Sequence, residues 1–414
     1  MALLPGLPTR KAARDLLDAT LEHRKPLEEA LEQLPKRLDP RDRAAAHRIA
    51  ATVLRRLGSI DEVLSPFLRR EPPPPARHAL RIGAAELLLL DTPPHAAVGV
   101  AVALAPKAFA GLVNAVLRKV AAEGPAALEG LDAPRLDTPS WLWSSWHAAY
   151  GPAVRAIAEA HRGPAPLDLT PAPGAPPPEG AEILPTGSWR MTPGTRVTDL
   201  PGFAEGRFWV QDAAAALPAL LLKPLPGERI ADLCAAPGGK TAQLAAAGAE
   251  VTAVERDPHR VARLSENLAR LRLPATIVQA DAAAWTPPAL FDAILLDAPC
   301  TATGTIRRHP DVAHTKRPRD VQAAAEAQAR LLAAAAGMLK PGGRLVFATC
   351  SLQPEEGEAH LARAAGLGLV HDPFRVEELP GLPEAITAAG CLRTRPDMRG
   401  GMDGFFAARF RRAA

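Results

Sequence analysis

Two short stretches place thiols where a reaction could use them. Asp297-Ala298-Pro299-Cys300 closes the apolar run Phe291–Asp297, and Thr349-Cys350-Ser351 closes the run Arg344–Cys350. A carboxylate and two thiols at the tips of strand-like segments are the groups of covalent catalysis, in which a thiolate attacks and is later released. Either cysteine alone would more often be an inert, small apolar residue. A reactive reading needs thiolate character, from a helix N-terminus or a nearby Lys or Arg, and a ligand crevice beside the sulfurs.

The crevice is supplied by Asp232–Thr241, DLCAAPGGKT. It follows the strand-like Glu228–Leu233 and opens onto the helix-prone Thr241–Ala247. Strand, glycine turn and helix aim backbone N–H groups at a ligand, and Gly238 and Gly239 let the backbone approach it closely. A phosphate-binding P-loop would need Gly where Cys234 stands, and the G-x-G-x-x-G spacing is absent. The loop therefore fits a nucleotide-like ligand, but not ATP or NAD in the usual manner. Glu250–Glu255 is a second strand whose terminal carboxylate falls where α/β folds hold a ribose. Ala275–Asp281 ends in another carboxylate, and the ends of successive parallel strands converge on one crevice.

From Gly227 onward strands alternate with helices (Pro258–Leu271 and Arg319–Leu339 among them), predicting a doubly wound parallel sheet with a last strand at Gly404–Arg409. Ala213–Leu222 is a helix just before the glycine loop. Residues 8–122 read as helices at Thr9–His23, Arg41–Leu57, Ile60–Arg69, Arg77–Leu90 and Phe109–Val120, with breaks at Pro40, Gly58 and Pro72–Pro75. Between them, 125–205 is a connector. Trp141, Trp143 and Trp146 suggest a packing anchor, with stacking on RNA bases the sharper reading. The proline-rich part after Gly163 reads as loop, unable to form a central strand. Three domains follow: 1–124, 125–205 and 206–414.

Composition limits the function classes. With 47% apolar and 23% charged residues the chain is an ordinary globular protein, and its 44 prolines are about twice the average share. No run of about 20 apolar residues is present and the N-terminus lacks a signal-peptide core, so the expectation is a cytoplasmic protein with no membrane partner. Four cysteines form no disulfide framework, and no spacing suggests a metal. The formal charge is +4; residues 1–124 hold 19 Lys and Arg against 14 Asp and Glu, and the remainder 30 against 31. The excess sits at the N-terminal end, where it suits a polyanion.

The runs RKAARDLLDATLE, ELLLLDTPPHAAV and VNAVLRKV resemble the NusB-like all-helical RNA-binding domain, implying RNA contact near Arg10, Lys11 and Arg14. DLCAAPGGKT, DAPCTATGT, ATCSLQPEEGE and RTRP…GMDGFF resemble the RNA 5-methylcytosine methyltransferases of the Nol/Nop/Sun family. The fused NusB-like region narrows the resemblance to the bacterial RsmB (Sun/Fmu) branch, whose substrate is small-subunit ribosomal RNA. What this implies is a multidomain chain: an all-α NusB-like bundle, a small α+β connector and an α/β Rossmann-like domain using S-adenosyl-L-methionine. It further implies a monomer, with RNA as partner. Cys350 would attack carbon 6 of cytosine, Cys300 would assist loss of the carbon-5 proton and product release, and Asp297 would bond the base near N3 as a neutral acid. Cys234, Ala235, Ala236, Pro237, Gly238, Gly239 and Lys240 would cradle the methionine part, Glu255 the ribose hydroxyls and Asp281 the adenine amine. Arg260 and Gln211 match family positions without a stated role. The chain departs from the family at Thr301, usually Ser, at Glu255, usually Asp, and at Leu167-Asp168-Leu169-Thr170, usually Leu-Arg-Val-Asn. Two other readings stand beside this one: a DNA cytosine methyltransferase attacking through Cys300, and a non-catalytic RNA-binding assembly factor.

Overall fold

The structure is a computed structural model and describes residues 5–192, 194–379 and 381–413. It forms two compact units: residues up to Pro164 together with Ile306–Arg317, and Ala165–Thr305 together with Pro318 onward. The division thus falls inside the span 125–205, and one segment of the span 206–414 lies with the helices.

The helical unit contains α1 (Leu7–Leu21), α2 (Leu27–Glu32), α3 (Pro40–Arg55), α4 (Leu57–Leu64), α5 (Pro74–Leu88), α6 (Pro94–Leu104), α7 (Ala110–Glu123), α8 (Ala133–Leu136), α9 (Ser140–Tyr150) and α10 (Val154–His161). Its prolines set starts: Pro40, Pro74 and Pro94 each open a helix, where a missing N–H costs nothing. α6 was not predicted because PHAAVGVAVAL is apolar on every side and shows no stripe. Gly58 breaks nothing, for it lies inside α4. A Cβ there would stand 1.9 Å from the Leu136 carbonyl oxygen, so the glycine allows α8 to approach. Leu16, Leu17, Ile49, Leu54, Leu80 and Leu117 fill one core. Trp146 is wholly buried, its ring 5.1 Å from that of His161, so it is the packing anchor. Trp143 is partly exposed beneath the Arg135 guanidinium at 5.3 Å.

The residues singled out near α1 differ in what they can offer RNA. Arg10 donates from Nε to the buried Glu86 at 2.9 Å and is a structural ion pair. Arg14 donates to Asp15 at 2.9 Å and to the Leu104 carbonyl at 3.4 Å. Lys11 is exposed. Within the same unit, Ile306–Arg317 is held at several points. Arg55 donates to the Arg307 carbonyl (2.8 Å), the Leu27 N–H to Asp311 (3.2 Å), and Arg24 to the Thr315 carbonyl (2.6 Å).

The second unit opens with β1 (Leu167–Pro171), β2 (Glu182–Ile183), β3 (Trp189–Met191) and β4 (Phe208–Val210), a four-stranded sheet ordered β2-β3-β1-β4. The proline-rich span therefore does contain a central strand, β1, with its proline confined to the last position. Asp168, which stands where the family has Arg, is buried and takes both branches of Arg190 at 2.8 and 2.9 Å, so it holds β1 to β3. Then follow α11 (Ala213–Leu222), β5 (Arg229–Leu233), α12 (Gly239–Ala246), β6 (Glu250–Glu255), α13 (Pro258–Leu271), β7 (Thr276–Gln279) and β8 (Phe291–Asp297). After α14 (Val312–Thr315), in the segment held by the helices, come α15 (Pro318–Met338), β9 (Leu339–Thr349), α16 (Ala359–Ala365), β10 (Leu369–His371), β11 (Leu392–Arg393) and β12 (Phe406–Arg412).

The large sheet is ordered β10-β12-β9-β8-β5-β6-β7, with β11 paired to β12. β5 to β9 run parallel as predicted, but β12 is antiparallel to β9 and to β10, so the sheet is mixed. β12 returns from the tail RTRPDMRGGMDG, and its apolar run says nothing of its direction. Among the described residues no helix is long and apolar enough to cross a membrane.

Gly58→Ala is expected to lower the unfolding free energy by about 3 kcal/mol through overpacking against α8. Gly99→Ala, on an exposed turn of α6 with open space around it, should instead raise it by about 1 kcal/mol. Thermal unfolding of both variants checks this, and equal shifts would show that the α4–α8 approach is not what Gly58 serves.

Candidate active site

The glycine loop is held from beneath. Cys234 takes φ 64 and Gly238 φ 103, and α12 begins at Gly239. A Cβ on Gly238 would meet Leu264 Cδ1 at 2.6 Å, so packing and backbone both require glycine. Gln211 buttresses the turn: its carbonyl oxygen accepts from Thr170 Oγ1 and Trp209 Nε1, each at 2.8 Å, and its amide donates to Gln243 at 2.9 Å. Arg260 donates to the Ala236 carbonyl at 2.6 Å and lies 3.2 Å from Glu255 Oε2. These are the structural roles of the two residues whose positions the sequence left open.

Beside the loop is a cavity of about 190 Å³ lined by Cys234, Glu255, Arg256, Arg260, Asp281 and Arg330 among others. Glu255 is buried; its Oε1 accepts from the N–H groups of Arg256 (2.9 Å) and Asp257 (3.1 Å), while Oε2 has no hydrogen-bond partner among the described residues. Asp281 is exposed, with one oxygen taking the Ala283 N–H at 3.0 Å. A buried carboxylate whose Oε2 is met by Arg260 as an ion pair but not by a hydrogen bond, beside a glycine turn, can still accept from a ligand's hydroxyl, such as that of a ribose. Burial pushes the Cys234 thiol up to about 12, so this cysteine contributes its backbone and bulk, not a nucleophile.

Asp297 has a charged partner. Lys240, the last residue of the predicted cradle, donates its ammonium to Asp297 Oδ2 at 2.7 Å and lies 5.1 Å from the centre of the Phe405 ring. Burial would discharge Lys240, but the charge and hydrogen bond of Asp297 outweigh it and raise its pKa. The ammonium therefore persists at neutral pH.

The two thiols meet. Cys300 Sγ lies 3.4 Å from Cys350 Sγ, and both residues are partly exposed. The hydrogen bond to Cys350, then burial, pushes the Cys300 thiol well up. Two glycines hold the Cys300 loop to the tail: Gly404 N–H donates to the Gly304 carbonyl at 2.8 Å, and a Cβ on Gly304 would come 1.9 Å from the Gly404 oxygen. Sequence reading missed Glu356, a buried carboxylate bonded to both Thr301 and Ser351, because nothing in PEEGE distinguishes one glutamate from the next.

Comparison with known proteins identifies relatives of the chain. The family model for the 16S rRNA methyltransferase RsmB/F matches residues 219–411, and that for the NusB family matches 7–122. The ribosomal RNA small subunit methyltransferase B of Salmonella arizonae is 35% identical over 384 residues, covering 85% of this chain and 88% of that protein. That of Salmonella typhi is 35% identical over 379 residues, covering 84% and 87%. Among solved structures, PH0851 superposes with TM-score 0.71 at 23% identity, over 97% of this chain and 98% of that one. A methyltransferase homolog from Pyrococcus horikoshii does so with TM-score 0.55 at 28% identity, over 65% and 93%.

Asp232 gives the loop a pH dependence. It is wholly buried under α12, its Oδ2 accepting from Thr241 at 2.6 Å and its Oδ1 unpartnered. Burial raises its pKa from 3.8 to about 7, against the Thr241 hydrogen bond. Between these values the folded chain keeps a proton that the unfolded chain has lost, so stability falls as pH rises through the window. Asp232→Asn should remove that loss, of which about 3 kcal/mol falls between pH 5 and pH 8. Denaturant unfolding of both proteins at pH 5 and pH 8 checks this; parallel pH profiles would rule it out.

Proposed function

We propose that this chain, which belongs to the RsmB/F family of 16S rRNA methyltransferases, methylates carbon 5 of a cytosine in small-subunit ribosomal RNA through a covalent Cys350 intermediate. The observation that carries this reading is the 3.4 Å approach of the Cys300 and Cys350 sulfurs, from loops that follow neighbouring strands, next to the Lys240–Asp297 pair.

Carbon 5 of cytosine is a weak nucleophile. Attack of a thiolate on carbon 6 makes the ring enamine-like and divides one hard step into two easier ones. Cys350 is the attacking group: its sulfur lies 3.4 Å from that of Cys300, and the Lys240 ammonium adds a positive field on it. Asp297 bonds the base edge near N3, with Lys240 fixing the carboxylate's direction. After methyl transfer Cys300, once it has given up its own proton, takes the carbon-5 proton, the freed electron pair re-forms the carbon-5–carbon-6 double bond and Cys350 leaves carbon 6 as a thiolate. S-adenosylmethionine, the cofactor, supplies an electrophilic methyl group when bound. Residues Cys234 to Lys240 would hold its methionine part, Glu255 its ribose and Asp281 its adenine. The cytosine leaves its stack to enter the site. The NusB-like helices, which carry the excess positive charge, bind the RNA backbone.

Ribosomal RNA labelled with tritium at cytosine carbon 5 should lose tritium to water only when the wild-type chain and S-adenosylmethionine are both present. Cys350→Ala should lower this release by at least about 10⁴-fold and form no covalent RNA adduct, while Cys300→Ala accumulates one. The reverse pattern would make Cys300 the nucleophile. Absence of methyl transfer by the wild type would leave a binding protein.

A further inference from the structure

Glu356 is fully buried, yet every hydrogen bond to its carboxylate comes from a neutral donor. Its Oε1 accepts from the Thr301 N–H at 2.8 Å and from Gln328 Nε2 at 3.2 Å. Its Oε2 accepts from Ser351 Oγ at 2.5 Å and from the Thr301 hydroxyl. Thr301 follows Cys300 and Ser351 follows Cys350. The residues preceding the cysteines are tied in as well: Gln328 donates to the Pro299 carbonyl at 2.9 Å, and Thr349 Oγ1 to the Glu356 carbonyl at 3.0 Å. Thr303 completes the ring, lying 3.1 Å from Ser351 Oγ and taking the Leu352 N–H at 3.1 Å.

Burying a carboxylate is costly even with four donors, and an apolar group of the same size would serve a passive core better. Burial raises the Glu356 pKa, the direction in which that cost acts. What the carboxylate does and an apolar group could not is bond one residue in each cysteine loop at once. We propose that Glu356 is the positioning residue that sets the separation of the Cys300 and Cys350 sulfurs, acting through Thr301 and Ser351. This rests on the covalent reading above. It also accounts for Thr301: the hydroxyl that Ser supplies elsewhere in the family is the part the clamp uses, and Thr keeps it.

The test is the rate at which the full chain forms a covalent adduct with a small-subunit ribosomal RNA transcript made with 5-fluorocytosine, with S-adenosylmethionine present. Fluorine at carbon 5 blocks release, so the adduct survives denaturing gels. Glu356→Ala and Thr301→Val should each slow adduct formation by about 10²-fold, the cost of misplacing a reacting group by about 1 Å. Cofactor affinity should be unchanged in both, and Thr301→Ser should restore the rate. The double variant Thr301→Val/Glu356→Ala should be no slower than Glu356→Ala alone, because both remove one connection. Losses that multiply in the double variant, or single variants within about twofold of wild type, would overturn the clamp while leaving the chemistry intact. A wild type that forms no adduct would instead sink the covalent reading and the clamp with it. Should Glu356→Ala not fold, the contrast between Thr301→Val and Thr301→Ser decides by itself.

Discussion

The register between β8 and β9 is the constraint on which the site depends. The two strands run parallel with Asp297 opposite Ala348 and Leu296 opposite Phe347. Each strand then ends within two residues, and the chains that emerge carry Cys300 and Cys350. The Ala298 N–H donates to the Ala348 carbonyl at 2.9 Å, extending the ladder to the point where the loops begin. A slip of one residue would turn every side chain of one strand to the other face and carry one sulfur away from its partner. The slip is prevented by burial on both faces: Ile294, Leu296 and Phe347 pack in one layer, Ala293, Leu295 and Val346 in the other. A two-sided apolar core therefore holds the register, and the register holds the chemistry.

This explains why some of the site was legible in the sequence. β6 and β8 were read at their observed bounds, as were α11 and α13, because short apolar runs bounded by turns and a strong helical stripe are local signals. The convergence of Asp297, Cys300, Cys350 and the glycine turn followed from a general property of parallel sheets. What was not legible depends on contacts distant in sequence. The Lys240–Asp297 pair joins the first turn of α12 to the last residue of β8, 57 positions apart, and gives Asp297 a partner that nothing near it in sequence reveals. Glu356 reaches Thr301 across 55 positions. The packing of Ile306–Arg317 with the helices leaves no mark in its composition. Arg10 looked like a surface cation because nothing near it in sequence reveals Glu86.

The charges around the loop are more balanced than the net charge of the chain suggests. Asp232 has its proton affinity raised first by burial and then, in smaller part, by the charges of Asp297 and Glu255. Lys240 and Arg260 answer them, one on Asp297 and one beside Glu255. The cavity beside the loop carries both signs, with Arg256, Arg260 and Arg330 lining it alongside Glu255 and Asp281. The carboxylates disfavour a thiolate at Cys234, whose thiol is raised by burial and then by all three acids. Reactivity is thus withheld from the cysteine in the cofactor loop.

The pair at Cys300 and Cys350 solves a different electrostatic problem. Two thiols at 3.4 Å cannot both ionise, since the second charge would meet the first at short range in a partly buried setting. Whichever sulfur keeps its proton donates it to the other, so one nucleophile and one donor arise from identical residues by mutual exclusion. Glu356, buried behind the Cys300 loop, tips the choice: its charge is among the causes that hold Cys300 protonated. Lys240 tips it the same way from the opposite side, since its ammonium feels the charge of Cys350. The asymmetry between the two sulfurs therefore lies less in the cysteines than in the carboxylate and the ammonium near them.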